Sequence, residues 1–137
     1  MNNLLAAIIT KTSDSALSSD VGGRIYLDQA PEGTEYPYIV FFIVVDTPED
    51  VFARDGEDIL IQFSLFSTSA SVAEIADMYK DLKALFDNCS FSITNNTLIW
   101  MRRDSLTTLM DEHTTPSGTI GVKAWHVDYQ ILTKEGE

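Results

Sequence analysis

A chain of 137 residues with 45% apolar side chains is long enough for one domain with a real core, without metal or disulfide staples. Its formal charge of −12, from 21 acidic against 9 basic side chains, repels phosphate backbones and anionic lipid heads, which argues against nucleic-acid reading and membrane-surface binding. The lone Cys89 cannot form an internal disulfide and reads as a small core hydrophobe in a reducing compartment.

The first segment, MNNLLAAIITKTSDSAL, lacks a basic leader, and its apolar patch is shorter than the roughly 20 residues a spanning helix needs. Neither export nor membrane insertion is expected, so the sequons at Asn88 and Asn95 carry no role. Leu4, Leu5, Ile8, Ile9 and Leu17 recur at helical spacing, predicting an amphipathic helix over 3–18 that ends before Gly22-Gly23. Arg24 to Asp28 alternates as a strand, and Pro31-Glu32-Gly33 turns the chain. After Pro37, YIVFFIVV (38–45) is apolar on both faces, the mark of a covered central strand.

Residues 46–58 hold six acidic side chains, Arg54, Pro48 and Gly56, and predict a solvated loop, with Val51 and Phe52 as apolar exceptions inside it. The following DILIQFSLFS sets Ile59, Ile61, Phe63 and Leu65 on one face and Leu60, Gln62, Ser64 and Phe66 on the other, a strand that forms a hairpin with 38–45. Val72, Ile75, Ala76, Tyr79, Leu82 and Phe86 make one stripe of a helix over 70–87, with Ser69 or Ser71 available as its cap. Strands are expected at 97–110 and 123–132, and the polar, turn-rich 111–121 reads as a mobile loop. The order helix, strands, helix, strands predicts one α+β domain over 1–137: a single antiparallel sheet with two helices packed on one face.

No arrangement of residues reaches an active site. His113 and His126 have no metal-binding spacing. His126 and Asp128 share a strand face and could pair, but no positioned nucleophile or G-x-S-x-G elbow accompanies them. Asp55, Glu57 and Asp58 could meet a cation, yet lack the alternation and terminal glutamate of a calcium loop. Gly22-Gly23 is followed by a strand rather than the helix of a phosphate loop, and Arg102-Arg103 is expected to answer a nearby carboxylate. The expectation is a non-enzyme with no cofactor, no metal and no catalytic residue.

The Arg24-Ile25-Tyr26 strand, the Ala30-Pro31-x-Gly33 turn, Pro37-Tyr38-Ile39-Val40-Phe41, Gln62-Phe63-Ser64 and Asp128-Tyr129 occur in an order and at separations that resemble the small tail completion proteins of long-tailed bacteriophages, also called tail terminators or tail-to-head joining proteins. The resemblance spans nearly the whole chain except 102–121. It implies a virion ring of six copies, assembled in the host cytoplasm, that caps the head-proximal end of the tail tube. Its partners would be further copies, the tail tube protein and the head connector or neck, with DNA passing through the lumen unread and no membrane. Val51, Phe52 and Arg54 in the acidic segment, and Tyr38, Val40 and Phe42 on the spare face of the apolar strand, are the candidate subunit or partner contacts. Two other readings stand beside it. One is another head–tail connector component, such as a head-closure or tail-tube protein; the other is a small-molecule binding module with His126 and Asp128 at a pocket mouth.

Overall fold

A computed structural model describes residues 2–13, 15–51, 54–116 and 118–135. Helices α1 (Asn2–Thr12) and α2 (Ala16–Asp20) precede the short strand β1 (Ile25–Leu27) and the hairpin of β2 (Tyr38–Val51) with β3 (Arg54–Ser67). Helix α3 (Ala73–Phe86) then leads into a second long hairpin, β4 (Asn96–Thr115) with β5 (Gly118–Glu135).

One helix was expected over 3–18, and two are found. The hydroxyls between them explain the break: Thr12 and Ser13 donate back to the Ile9 carbonyl at 2.9 and 3.0 Å, and Ser15 donates to the Thr12 carbonyl at 2.6 Å. Ser15 also accepts from the Ser18 N–H and so caps α2. At the other end Gly23 N–H reaches the Ser18 carbonyl and Gly22 N–H the Ser19 carbonyl, both glycines at positive φ, the paired bonds of a Schellman stop. In α3 the cap position is Val72, which makes no side-chain bond, while the Ser71 hydroxyl accepts from Ala73 N–H.

The five strands run in the order β1-β2-β3-β5-β4. The sheet is mixed rather than wholly antiparallel: β1 lies parallel to β2, with Ile25, Tyr26 and Leu27 against Ile39, Val40 and Phe41. A turn signal between two strands suggests a hairpin, but here the segment from Asp28 to Pro37 doubles back and returns the chain to the end from which β1 started. Asp28 and Gly33 take the positive φ this path requires.

The alternation read for β3 holds: Ile59, Ile61, Phe63 and Leu65 are all fully buried. They form one cluster with Ile39, Phe41, Val127, Tyr129 and Ile131 of the neighbouring strands and with buried side chains of α1, α2 and α3. Each such side chain contributes about 1.5–3 kcal/mol of burial, so the stripe across three long strands dominates the stability. Phe63 is its hub, stacked on Phe41 at 5.6 Å and on Phe86 at 4.9 Å, with the edge of Tyr129 at 5.7 Å.

Two segments expected as loops are strands. Residues 46–51 pair with 54–59, from Asp46↔Ile59 to Val51↔Arg54, and residues 111–115 pair with 118–122, from Asp111↔Val122 to Thr115↔Gly118. Polar composition misled the reading in both cases, because continuing an existing ladder satisfies the backbone whatever the side chains are. The two hairpins close at opposite ends of the sheet, since β3 and β5 run antiparallel.

Asp20, at the end of α2, has its carboxyl pushed up to about 7, by burial first and then by Asp81 and Asp77 of α3; its Oδ2 is buried with no donor. A carboxyl whose folded pKa lies above its unfolded value stabilises the fold below the unfolded value of 3.8 and loses that contribution as pH rises toward about 7. Asp20→Asn therefore should raise the melting temperature at pH about 8, by the equivalent of about 1 kcal/mol after solvent screening, and change it little at pH about 4. Phe63→Ala should cost about 3–5 kcal/mol in denaturant unfolding, because it empties the centre of the cluster.

Candidate assembly surface

The second face of the sheet carries the alternate residues of the same strands and is built differently. Tyr38, Val40 and Phe42 pair across β2–β3 with Phe66, Ser64 and Gln62, and all but Ser64 are half-buried. An aromatic row crosses this face: Tyr36 to Tyr38 at 5.1 Å, Tyr38 on Phe66 at 4.9 Å, and Phe66 against the His126 ring at 6.2 Å. Offset and tilted pairs of this kind are favourable, and each contributes about 0.5–1.5 kcal/mol beyond area burial.

Below that row the face turns polar and internally bonded. Ser64 Oγ and His126 Nδ1 share a hydrogen bond of 2.8 Å. Gln62 donates to Asp128 Oδ1 at 2.9 Å, and Ser105 donates to Oδ2 at 3.2 Å. Gln130 donates to both Asp58 oxygens at 3.0 and 3.1 Å. His126 and Asp128, close enough in sequence to pair, are instead each engaged across the strands, His126 by Ser64 and Asp128 by Gln62 with Ser105. Ser64 is buried, and among the described residues no carboxylate is bonded to the other nitrogen of the His126 ring, so the group braces the sheet and lacks the carboxylate–imidazole–hydroxyl relay of a hydrolase. Among the described residues no set of three His, Cys, Asp or Glu side chains is placed to hold a metal ion, and no helix is long and apolar enough to cross a membrane.

The arginine doublet divides between the two faces. Arg103 meets Asp87 at 3.3 Å and donates to the Tyr79 hydroxyl, whereas Arg102 stacks on Trp100 at 4.3 Å. Asp87 also accepts from the Tyr129 hydroxyl at 2.5 Å, and burial together with this carboxylate pushes the Tyr129 phenol up from its ordinary range.

Of the candidate contacts, Tyr38, Val40 and Phe42 stand together on the second face. Val51 and Arg54 are the last backbone pair of the β2–β3 hairpin, and Phe52 lies outside the described residues. The hairpin of 46–58 is acidic in fact as in sequence; Glu57 beside Asp46 has its carboxyl raised by burial and then by that neighbour. Sequence reasoning missed the strongest exposed apolar group, which lies on the second hairpin: Leu109, Met110 and Ile120 are 55%, 63% and 40% exposed. Lys123 is the last β5 residue paired with β3, so residues 118–122 pair with β4 alone and form an overhanging two-stranded ribbon. The adjacent pair Leu109-Met110 at the end of a strand with two mixed faces was the available signal, because successive strand residues point to opposite faces and both cannot enter one core.

Phe66→Ala with Tyr38→Ala should cost about 1.5–4.5 kcal/mol of stability from the three lost aromatic pairs, and is compared with the wild type under conditions where a melt shows it folded. Self-association in sedimentation should fall far more than that loss accounts for. Wild-type self-association in a folded double variant would show that the aromatic row serves the fold alone.

The profile of the family described as tail completion protein gp17 matches residues 6–133. No curated protein matches the chain. Among solved structures, a chain from the virion of a native gene transfer agent particle is similar with a TM-score of 0.72 at 12% identity, covering 96% of this chain and 94% of that one. A second solved chain is similar with a TM-score of 0.53 at 14% identity, covering 95% of this chain and 94% of that one. These likenesses are at the level of fold. The profile match reaches from α1 almost to the end of β5 and takes in the whole stripe and both hairpins, and the chain accordingly belongs to the tail completion protein gp17 family of structural phage tail proteins.

Proposed function

We propose that the chain is a ring subunit, six copies around the tail axis, that terminates the tail tube at its head-proximal end and joins it to the head connector. The observation that carries this reading is the family match over 6–133, which leaves no described element of the fold unaccounted for. The likeness to a chain of a gene transfer agent virion supports a place inside a virion assembly, and assembly in the host cytoplasm belongs to the same proposal. A structural role also suits the second face, whose titratable groups brace the sheet instead of converging on a substrate.

In this reading all three helices shield one face of the sheet, and the second face, the overhanging ribbon and the acidic hairpin with Val51, Phe52 and Arg54 meet other subunits, the tube protein and the neck. A formal charge of −12 on each copy would keep DNA moving through the lumen without adhering, by simple repulsion of its phosphates. A ring needs a heterologous contact that closes by rotation, in which two different patches of one chain meet.

The test is a phage from which this gene is deleted, viewed by electron microscopy. Tubes of uncontrolled length, or full heads beside unjoined tails, are expected, and the full-length chain supplied in trans should restore joined particles. Normal particles from the deletion would overturn the proposal.

A further inference from the structure

β4 is the outer edge of the sheet, and the backbone pattern tells which of its residues face outward. Ile39 donates its N–H to the Arg24 carbonyl and Phe41 accepts from Asp28 N–H, so both turn their backbone groups away from β3. Antiparallel residues alternate between bonded and non-bonded pairs. Carried through Phe41↔Phe63, Phe63↔Val127 and Leu106↔Val127, that alternation sets the N–H and C=O of Leu106, Thr108, Met110 and Glu112 on the outer side of β4. The chain itself closes this edge on either side of the middle: Met101 accepts from Asn88 N–H at 3.1 Å, and Glu112 N–H donates to Asp111 Oδ1 at 2.9 Å. Between them, among the described residues, no backbone partner meets the outer side of Leu106, Thr108 or Met110.

Edges left open in this way invite another strand, and proteins usually blunt them with proline, lysine or bulges. Ser105–Met110 has no proline, no register shift and no charged side chain, so two chains of formal charge −12 can approach here without repulsion at the contact. The stretch also ends an apolar row on the second face: Tyr38 stands opposite Phe66, Phe66 opposite Ala124, and Ala124 opposite Leu109, which is 55% exposed. A strand that prolongs this row needs an apolar residue level with Leu109 and free backbone groups on either side of it. β4 of a second copy is such a strand.

We infer that two copies pair edge to edge through β4, antiparallel about a two-fold axis, with Leu109 of one opposite Leu109 of the other. Leu109 then forms a non-bonded pair, Thr108 and Met110 exchange both backbone bonds on either side of it, and Leu106 N–H meets the Glu112 carbonyl. The apolar row becomes continuous from Tyr38 of one copy to Tyr38 of the other. Asp104, Asp111 and Glu112 face the uncharged Thr114, Thr107 and Leu106. The paired strand ends at Thr115, level with Arg103, so Met101 keeps its bond to Asn88. Neighbouring registers fail on these points. Centring on Thr107 runs the end of the second strand along Met101, and centring on Thr108 sets Asp104 against Glu112; centring on Met110 sets Asp111 against Leu109, and centring on Asp111 sets two carboxylates face to face. A two-fold contact is isologous and stops at two copies, so it belongs to the free chain and goes beyond the ring proposed above, covering before assembly the ribbon that the ring presents to its neighbours.

The test uses the full chain with Cys89→Ser. Leu109→Cys, under mild oxidation, should give a disulfide-linked dimer, because the two residues of a non-bonded antiparallel pair have Cα atoms about 4.5 Å apart. Thr107→Cys should not, since its two copies lie about 13 Å apart along the strands. In sedimentation the wild type should be a dimer, and Thr108→Pro, whose lost N–H lies outside the β5 ladder, should be a monomer with an unchanged circular dichroism spectrum. A wild type that stays monomeric at every concentration, no link through Leu109→Cys, equal linking through Thr107→Cys, or a folded Thr108→Pro that still pairs would overturn the contact. Hexamers that Thr108→Pro leaves unchanged would overturn it and leave the ring standing.

Discussion

Phe63 touches Phe41, Phe86 and Tyr129 within 6 Å centroid to centroid, and through it β2, β3, β5 and α3 become one body. Its strand is the middle of the sheet, hydrogen-bonded along both sides, so any shift of β3 by one residue would turn four fully buried side chains out of the core. That penalty fixes the register of β2 and β5 on either side, and β5 in turn fixes β4. Even the acidic end of β2 and the overhang of β4 are consequences of it, because each merely continues a ladder that the core has set.

The polar chain from Tyr129 through Asp87 to Arg103 closes the same structure from below α3. A phenol this buried needs an acceptor, and Asp87, just beyond the helix, supplies one at 2.5 Å while its other oxygen meets the guanidinium. One carboxylate thus ties the helix terminus to β5 and β4 together. Lys83 and Arg103 both lie over the Tyr79 ring, at 4.6 and 5.7 Å, so the exposed flank of α3 is held by aromatic and cationic contacts as well as by its buried stripe.

The second face and the edges follow a different logic. There many side chains are half-buried and several are bonded to one another across strands, which braces the sheet. The register shifts in β4 near Ile99 and Asp104, and Pro48 in β2, blunt parts of both edges, leaving open short stretches rather than whole strands. An assembly protein needs surfaces that are sticky in one geometry and inert in others, and selective blunting achieves both.

The chain's local patterns determined much of this. Alternation located β3 and β5 with the correct buried face, the helical stripe located α3, and the ordered motifs from Arg24 to Tyr129 pointed to the family. These are short-range signals: side-chain period and turn chemistry are written within ten residues of the positions they govern. What tertiary structure alone decided was pairing. Nothing near Ile25 shows that it runs parallel to Ile39, nothing in the polar 46–58 and 111–121 shows that they extend a ladder, and His126 and Asp128 are separated by partners on β3 and β4 that lie far away in sequence. Strand partners and sheet edges depend on where the whole chain buries its one greasy stripe, and β4 is an edge because no further strand follows it in the sheet.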